Sequence, residues 1–252
     1  MIKRSKNPKN SFSDIPESGA LYRVLPSAIK PYLTLARFDR PIGTWLVLFP
    51  CWWSLALATD NWTVETGSLG KTLWLYLLFG IGAVVMRGAG CTFNDITDRK
   101  FDAKVARTAR RPIPSGAVSV PQAIIFMMFL SLIGLCILIQ FNQFTIYLGI
   151  ASLILVIIYP FMKRITYWPQ LALGLTFNWG AFLGWAAVKG DLQLPAVVLY
   201  IAGIFWTLGY DTVYAHQDKE DDLIAGIKSS ALKLKENTRP WLFIFYTSTV
   251  IL

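Results

Sequence analysis

The sequence predicts an all-α protein, a polytopic bundle of transmembrane helices. Three observations carry that prediction. Hydrophobic residues make up 54% of the 252 residues, charged residues 15%, and mean hydropathy is +0.47, whereas a soluble domain carries about 25% charged residues. The apolar residues gather into runs near the ~20 residues that a helix needs to cross a bilayer core. Basic residues collect on one side of those runs, as topology requires of a membrane protein.

The runs lie near 41–58, 72–92, 118–140, 143–162, 168–188 and 194–215, and a seventh starts at Pro240. Residues 31–252 therefore read as one transmembrane domain, cut within its seventh helix. Residues 1–30 read as a polar tail, without the apolar h-region of a signal peptide. Cys51, Cys91 and Cys136 sit inside apolar runs with no metal-binding spacing, which suits small core residues. The formal charge of +9 by itself would suit nucleic acid. Six crossings, however, put 21 of the 24 basic residues on the face shared by the N-terminus and the loops after the second, fourth and sixth runs. That pattern fits a lipid bilayer and no nucleic acid. It sets the basic face in the cytoplasm of a bacterium with the chain in the inner membrane, or in the equivalent mitochondrial matrix.

Topology does not account for the carboxylates, twelve of fifteen of which lie on that same face. They form two clusters. The first runs from Arg87 through Cys91, Asn94, Asp95 and Asp98 to Asp102. The second runs from Asp211 through Tyr214, His216, Asp218 and Glu220 to Asp221 and Asp222. A shift of 124 residues sets Arg87 on Asp211, Asn94 on Asp218, Asp98 on Asp222 and Lys104 on Lys228. Each cluster ends an even-numbered run, a weak internal repeat of the kind that builds a central site between two halves.

Positions i, i+7 and i+11 share one helix face. If both helices continue, Arg87, Cys91, Asn94 and Asp98 form one stripe and Asp211, Asp218 and Asp222 another. Ligands that are all oxygen select a hard cation, and few carboxylates beside a phosphate substrate suit Mg²⁺. Arg87, Arg107, Arg110, Arg111, Lys163, Arg164 and Lys228 are interleaved with them. Such cations beside Mg²⁺ hold a diphosphate and neutralise its developing charge. A diphosphate site that opens to lipid points to a lipid diphosphate substrate, with an acceptor attacking the carbon released.

Several segments then resemble the UbiA superfamily of intramembrane aromatic prenyltransferases, across roughly residues 30–245. They are Arg40-Pro-Ile-Gly-Thr-Trp45, Met86-Arg-Gly-Ala-Gly-Cys91 leading into Asn94-Asp-x-x-Asp98-x-x-x-Asp102, and Arg107-Thr-Ala-Arg-Arg-Pro-Ile-Pro-Ser-Gly116. Tyr159-Pro-Phe-Met-Lys-Arg164, Trp168-Pro-Gln-Leu-Ala-Leu-Gly174, and Tyr210 to Asp218 running to Gly226-Ile-Lys-Ser-Ser230 complete the set. The wording is nearest the branch that prenylates 4-hydroxybenzoate in ubiquinone biosynthesis.

That resemblance implies nine transmembrane helices, of which about six and a half are present. It also implies Mg²⁺-dependent transfer of a prenyl group from polyprenyl diphosphate to the ring of 4-hydroxybenzoate. By matching position, Asn94, Asp95, Asp98, Asp218 and Asp222 are the expected metal–diphosphate residues, with Asp102 and Asp221 outside them. Arg111, Lys163, Arg164 and Lys228 are expected to contact diphosphate. An intramembrane arginine needs a partner, so Arg87 is expected to meet either Asp211 or the acceptor's carboxylate. Tyr214 is the expected ring for stabilising an allylic cation. Asn178 and Gln170 either touch the acceptor or bond between helices. His216 points about 140–200° away from Asp211 and Asp218 and reads as an interfacial histidine. Two other readings stay open at this point. One is the same chemistry on another aromatic acceptor, and the other is a secondary transporter.

Overall fold

The computed structural model describes residues 25–59, 68–105 and 108–252. Most of the 1–30 tail and Arg107 lie outside the described residues, as does the side chain of Asp221. Every regular element among the described residues is helical. A short helix α1 (Lys30–Leu35) precedes α2 (Ile42–Ala58), α3 (Ser68–Asp102), α4 (Val120–Leu138) and α5 (Gln143–Ile165). Then come α6 (Pro169–Phe177), α7 (Gly180–Lys189), α8 (Leu194–Ala215), α9 (Lys219–Ala225), α10 (Ser230–Leu234) and, after a 3₁₀ turn at Lys235–Asn237, α11 (Thr238–Ile251). Among the described residues five helices are long and apolar enough to cross a membrane, with α6 and α7 together forming one of them. The chain is an integral membrane protein of transmembrane helices.

The helix starts are legible in local chemistry. Ser119 and Gln122 form a capping box at the head of α4, with Pro121 in its first turn. The Asn142 side chain accepts from the Thr145 N–H at 2.9 Å and opens α5. The 168–188 run is two helices rather than one. It breaks at Asn178, whose amide donates to the Gly174 carbonyl at 2.9 Å and to Thr207 Oγ1 on α8 at 2.9 Å. The backbone freed by the break is thus satisfied inside the protein, which a membrane interior demands.

Close approach of backbones organises the bundle. Helix α7 lies along α2, and a Cβ placed on Gly184 would run into the Cys51 carbonyl and come within 2.9 Å of the Leu55 nitrogen. One placed on Gly180 would meet Cys51 Sγ at 2.5 Å. Small residues four apart let the two helices touch, and the Ser54 hydroxyl then donates to the Ala181 carbonyl. Leu48, Cys51 and Leu55 of α2 also pack against Phe79 and Ala83 of α3. Cys91 is buried as expected, but Cys136 is exposed on the outer surface of α4 and is no core residue.

At ~1.5 Å per residue the 35 residues of α3 span about 52 Å, well beyond the ~30 Å of a bilayer core. The surplus carries the first acidic cluster out to the polar boundary. The second helix behaves differently. Helix α8 ends at Ala215, and Asp218 stands at the head of α9 after a turn. The single continuous face expected for Asp211, Asp218 and Asp222 is therefore broken, because the chain turns before the polar residues leave the membrane boundary.

Replacing Gly184 by Val is expected to destabilise the protein by about 1–3 kcal/mol through forced separation of α2 and α7. Unfolding of the purified protein in mixed micelles reads this. An unchanged midpoint would show that the two helices do not depend on the contact.

Candidate functional site

The polar end of α3 is built from three carboxylates, each met by cations from a different part of the chain. Asp95 is fully buried, and one guanidinium nitrogen of Arg37 donates to its two oxygens at 2.7 and 3.0 Å. Arg111 approaches the same carboxylate at 3.5 Å and donates to Asp102 at 3.0 Å. Asp95 and Asp102 are seven residues apart, two turns along one face, which is why a single guanidinium spans both.

Arg37 occupies a left-handed backbone conformation at φ 61° just past α1. The Phe38 N–H returns to the Leu33 carbonyl at 3.0 Å and closes the turn. A non-glycine residue there costs about 1–3 kcal/mol, and the buried pair with Asp95 offsets it.

Asp98 points elsewhere. It is 1% exposed, bonded to Lys163 Nζ through one oxygen and to Arg164 at 3.1 Å through the other, with Arg164 also on the Thr97 carbonyl at 3.1 Å. Both cations come from the last turn of α5. Phe101 and Phe161 lie under the Arg164 guanidinium at 4.9 and 5.3 Å. Asn94 is half-buried on the same helix, one turn before Asp98.

Deeper in the bundle, Arg87 lies over the Phe177 ring at 5.2 Å and against Gly43, and its Nε is buried with no hydrogen-bond partner. The charges of Asp211, Arg87 and Asp98 all act on the Tyr159 hydroxyl of α5. Asp211 and Arg87 also act on Tyr210, and Asp218 acts on Asp211. Charged residues of α3 and α8 thus lie within electrostatic range of Tyr159 on α5.

The arrangement corrects several expectations. Asp95 lies ~100° around the helix from Asn94, and its oxygens are held by Arg37 and Arg111. Arg87 forms no ion pair with Asp211 and sits on an aromatic face instead. Tyr214 is 51% exposed on α8, and the tyrosines beside Asp211 are Tyr159 and Tyr210. The Lys228 backbone N–H is pinned to the Lys163 carbonyl at 2.8 Å, but its ammonium turns away to the Ile165 carbonyl at 3.0 Å and lies 5.4 Å from the Tyr167 ring. Asn178 is committed between helices, as described, and Gln170 accepts from the Ser230 N–H at 3.2 Å. His216 binds the Thr212 carbonyl through Nδ1 at 2.8 Å, an anchoring contact on its own helix. Among the described residues no three Asp, Glu, His or Cys side chains converge as a ready metal site.

Arg37, Tyr159 and Tyr210 are the residues missed by sequence reasoning. Tyr159 had a signal, since it precedes Lys163 by four residues and shares its helix face. Arg37 had none, because its contact to Asp95 spans 58 residues.

Residues 47–252 match the model of the UbiA prenyltransferase family. The chain belongs to that family. It is 52% identical over 236 residues to the mitochondrial 4-hydroxybenzoate polyprenyltransferase of Rattus norvegicus, a match that covers 92% of this chain and 61% of that relative. The chain therefore spans about three fifths of the relative's length. Among solved structures, the apo UbiA homolog of Aeropyrum pernix K1 superposes with a TM-score of 0.70 at 25% identity, covering 84% of this chain and 77% of that one. A UbiA homolog of Archaeoglobus fulgidus, solved bound to GPP and Mg²⁺, gives 0.69 at 18% identity over 88% of this chain and 75% of its own, a likeness of fold.

Asp95→Ala is expected to lower stability by about 3–5 kcal/mol, since it strands a buried guanidinium. Asp98→Ala is expected to cost less, because Lys163 and Arg164 are 26% and 33% exposed and can turn to water. Unfolding midpoints of the two variants compare them directly. Equal losses would refute the division of labour.

Proposed function

We propose that the protein transfers a polyprenyl group from polyprenyl diphosphate to the ring of 4-hydroxybenzoate, in the ubiquinone pathway. The observation that carries this reading is the Asp98–Lys163–Arg164 constellation at the end of a membrane helix. It gathers two cations and a carboxylate where the head of a lipid diphosphate would lie while its tail stays among apolar helices. The 52% identity to a 4-hydroxybenzoate polyprenyltransferase supports the acceptor.

The donor set fits Mg²⁺ in kind. Asn94 and Asp98 on α3, and Asp218 and Asp222 around the head of α9, offer oxygen alone. These four would hold the ion through three carboxylates and one amide oxygen. When bound, Mg²⁺ adds positive charge against the departing diphosphate.

The chain's own residues would do the rest. Lys163 and Arg164 exchange part of their hold on Asp98 for diphosphate oxygens, and Arg111, steadied by Asp95 and Asp102, adds charge at the rim. The bond between the allylic carbon and the diphosphate oxygen breaks, and its electron pair leaves with the diphosphate. The Tyr159 and Tyr210 rings would stabilise the cationic carbon, by about 0.5–2 kcal/mol each. The ring carbon ortho to the acceptor's hydroxyl forms the new bond, and the proton it carried passes to diphosphate or water. Arg87, with a buried Nε lacking a hydrogen-bond partner and an aromatic underside, is suited to the acceptor's carboxylate. Apolar packing around this volume excludes water, which would otherwise consume the cation.

The basic face would look into the matrix of a mitochondrion if the chain shares the location in its relatives' names, and into the cytoplasm in a bacterial inner membrane.

The test uses membranes containing the full-length protein, labelled 4-hydroxybenzoate, a polyprenyl diphosphate and Mg²⁺. A lipid-extractable aromatic product is expected, lost with EDTA and reduced at least ~100-fold in Asp98→Ala, as for removal of an electrostatic catalytic group. Label that accumulates inside vesicles without a prenylated product would overturn the enzyme reading in favour of transport. Product with a different aromatic acceptor alone would overturn the substrate.

A further inference from the structure

A second cavity lies on the same polar face, outside the constellation just described. It is an open depression of about 550 Å³ between the α5–α6 connection, the end of α8, and the helices α9 and α10. Its walls are chemically mixed. Leu223, Leu232 and the ring of Tyr167 form an apolar lining, and His216, Lys219 and Lys235 supply polar edges. Two further ammonium groups, of Lys228 and Lys233, lie 5.4 and 5.8 Å from the Tyr167 ring. Glu236 is the carboxylate that lines it. Among the described residues neither Lys219 nor Lys235 is tied up in an ion pair. The His216 ring is held in place by the Thr212 carbonyl, so this wall is fixed.

We infer that this cavity is a docking site for a small aromatic carboxylate, which it gathers from water beside the transfer site. Apolar walls suit a ring and would do nothing for inorganic phosphate. Ammonium groups at the rim suit one carboxylate, and Lys219 and Lys235 outnumber Glu236 among the charged residues that line the cavity. Its position fits delivery, since His216 and Lys219 flank Asp218, at the edge of the second acidic cluster. The inference rests on the acceptor being an aromatic acid, as proposed above, and assigns that acceptor a first contact distinct from the place where its ring reacts.

The probe is 3-fluoro-4-hydroxybenzoate, observed by ¹⁹F NMR with the full-length protein in neutral detergent and no prenyl diphosphate, so that binding is read without turnover. The protein is expected to broaden the fluorine resonance. The double variant Lys219→Gln, Lys235→Gln is expected to weaken binding about fivefold, the scale of losing exposed charge contacts. Leu223→Ser is expected to weaken it as well, while fluoroacetate is not broadened. In the transfer assay the double variant raises KM for the aromatic acid about fivefold, with kcat and KM for the prenyl diphosphate unchanged. Undiminished broadening by the double variant would overturn the inference. So would displacement of the probe by inorganic phosphate or anionic phospholipid at equal concentration, which would mark a general anion or headgroup site. Probe binding that responds to these substitutions, in a protein that transfers no prenyl group to the acid, would refute the transfer reading and leave the docking site standing. Normal transfer with an unchanged KM in the double variant would do the reverse.

Discussion

The requirement that Asp95, Asp98 and Asp102 be compensated at a membrane boundary shapes the site end of the molecule. A carboxylate taken out of water is costly unless it is paired and hydrogen-bonded. Three of them project from two faces of one helix, so compensation has to arrive from more than one direction. Arg37 comes from the turn after α1, Arg111 from the loop after α3, and Lys163 with Arg164 from the end of α5. Segments far apart in the chain are thereby held against α3. The same pairs leave one carboxylate, Asp98, in contact with partly exposed cations, and another, Asp95, closed off entirely. Adjacent acids of one motif thus have different surroundings: Asp95 holds the framework, and Asp98 is the one proposed to face the chemistry.

The bundle beneath this end obeys a simpler constraint. Lipid supplies no hydrophobic drive between helices, so contact depends on how closely backbones approach. Gly180 and Gly184 allow it between α7 and α2, and the Asn178 amide links the break between α6 and α7 to α8. Both features stabilise helix positions close to Arg87 and Phe177, which lie at the depth where the acceptor's ring is proposed to react. Packing and site therefore share a wall, and a change in one is felt by the other.

The polar face carries more structure than hydropathy suggests. Helices α9 and α10 and the 3₁₀ turn that follows lie between α8 and α11 as a small cap. Lys228 belongs to this cap and not to the Asp98 constellation, though its backbone is bonded to Lys163. The same segment carries Asp218 and Asp222 and lines the neighbouring cavity with Lys219 and Lys235.

The sequence by itself determined the membrane class, the boundaries of most spans, the sidedness of the charge and the two polar clusters. Each of these depends on local composition or on spacing along one helix, where 1.5 Å and ~100° per residue hold whatever the rest of the chain does. The continuation of α3 to Asp102 and the family motifs were legible for the same reason. Only the tertiary structure decided which carboxylate meets which cation. Asp95 with Arg37, Asp98 with Lys163, Asn178 with Thr207 and Lys228 with Ile165 join residues 29 to 65 positions apart. Those pairings depend on how whole helices rotate and slide against each other, set by small residues and by the demand that every buried polar group find a partner. The turn after Ala215 was hidden too, because a helix that stops and one that continues carry the same residues until the chain has packed.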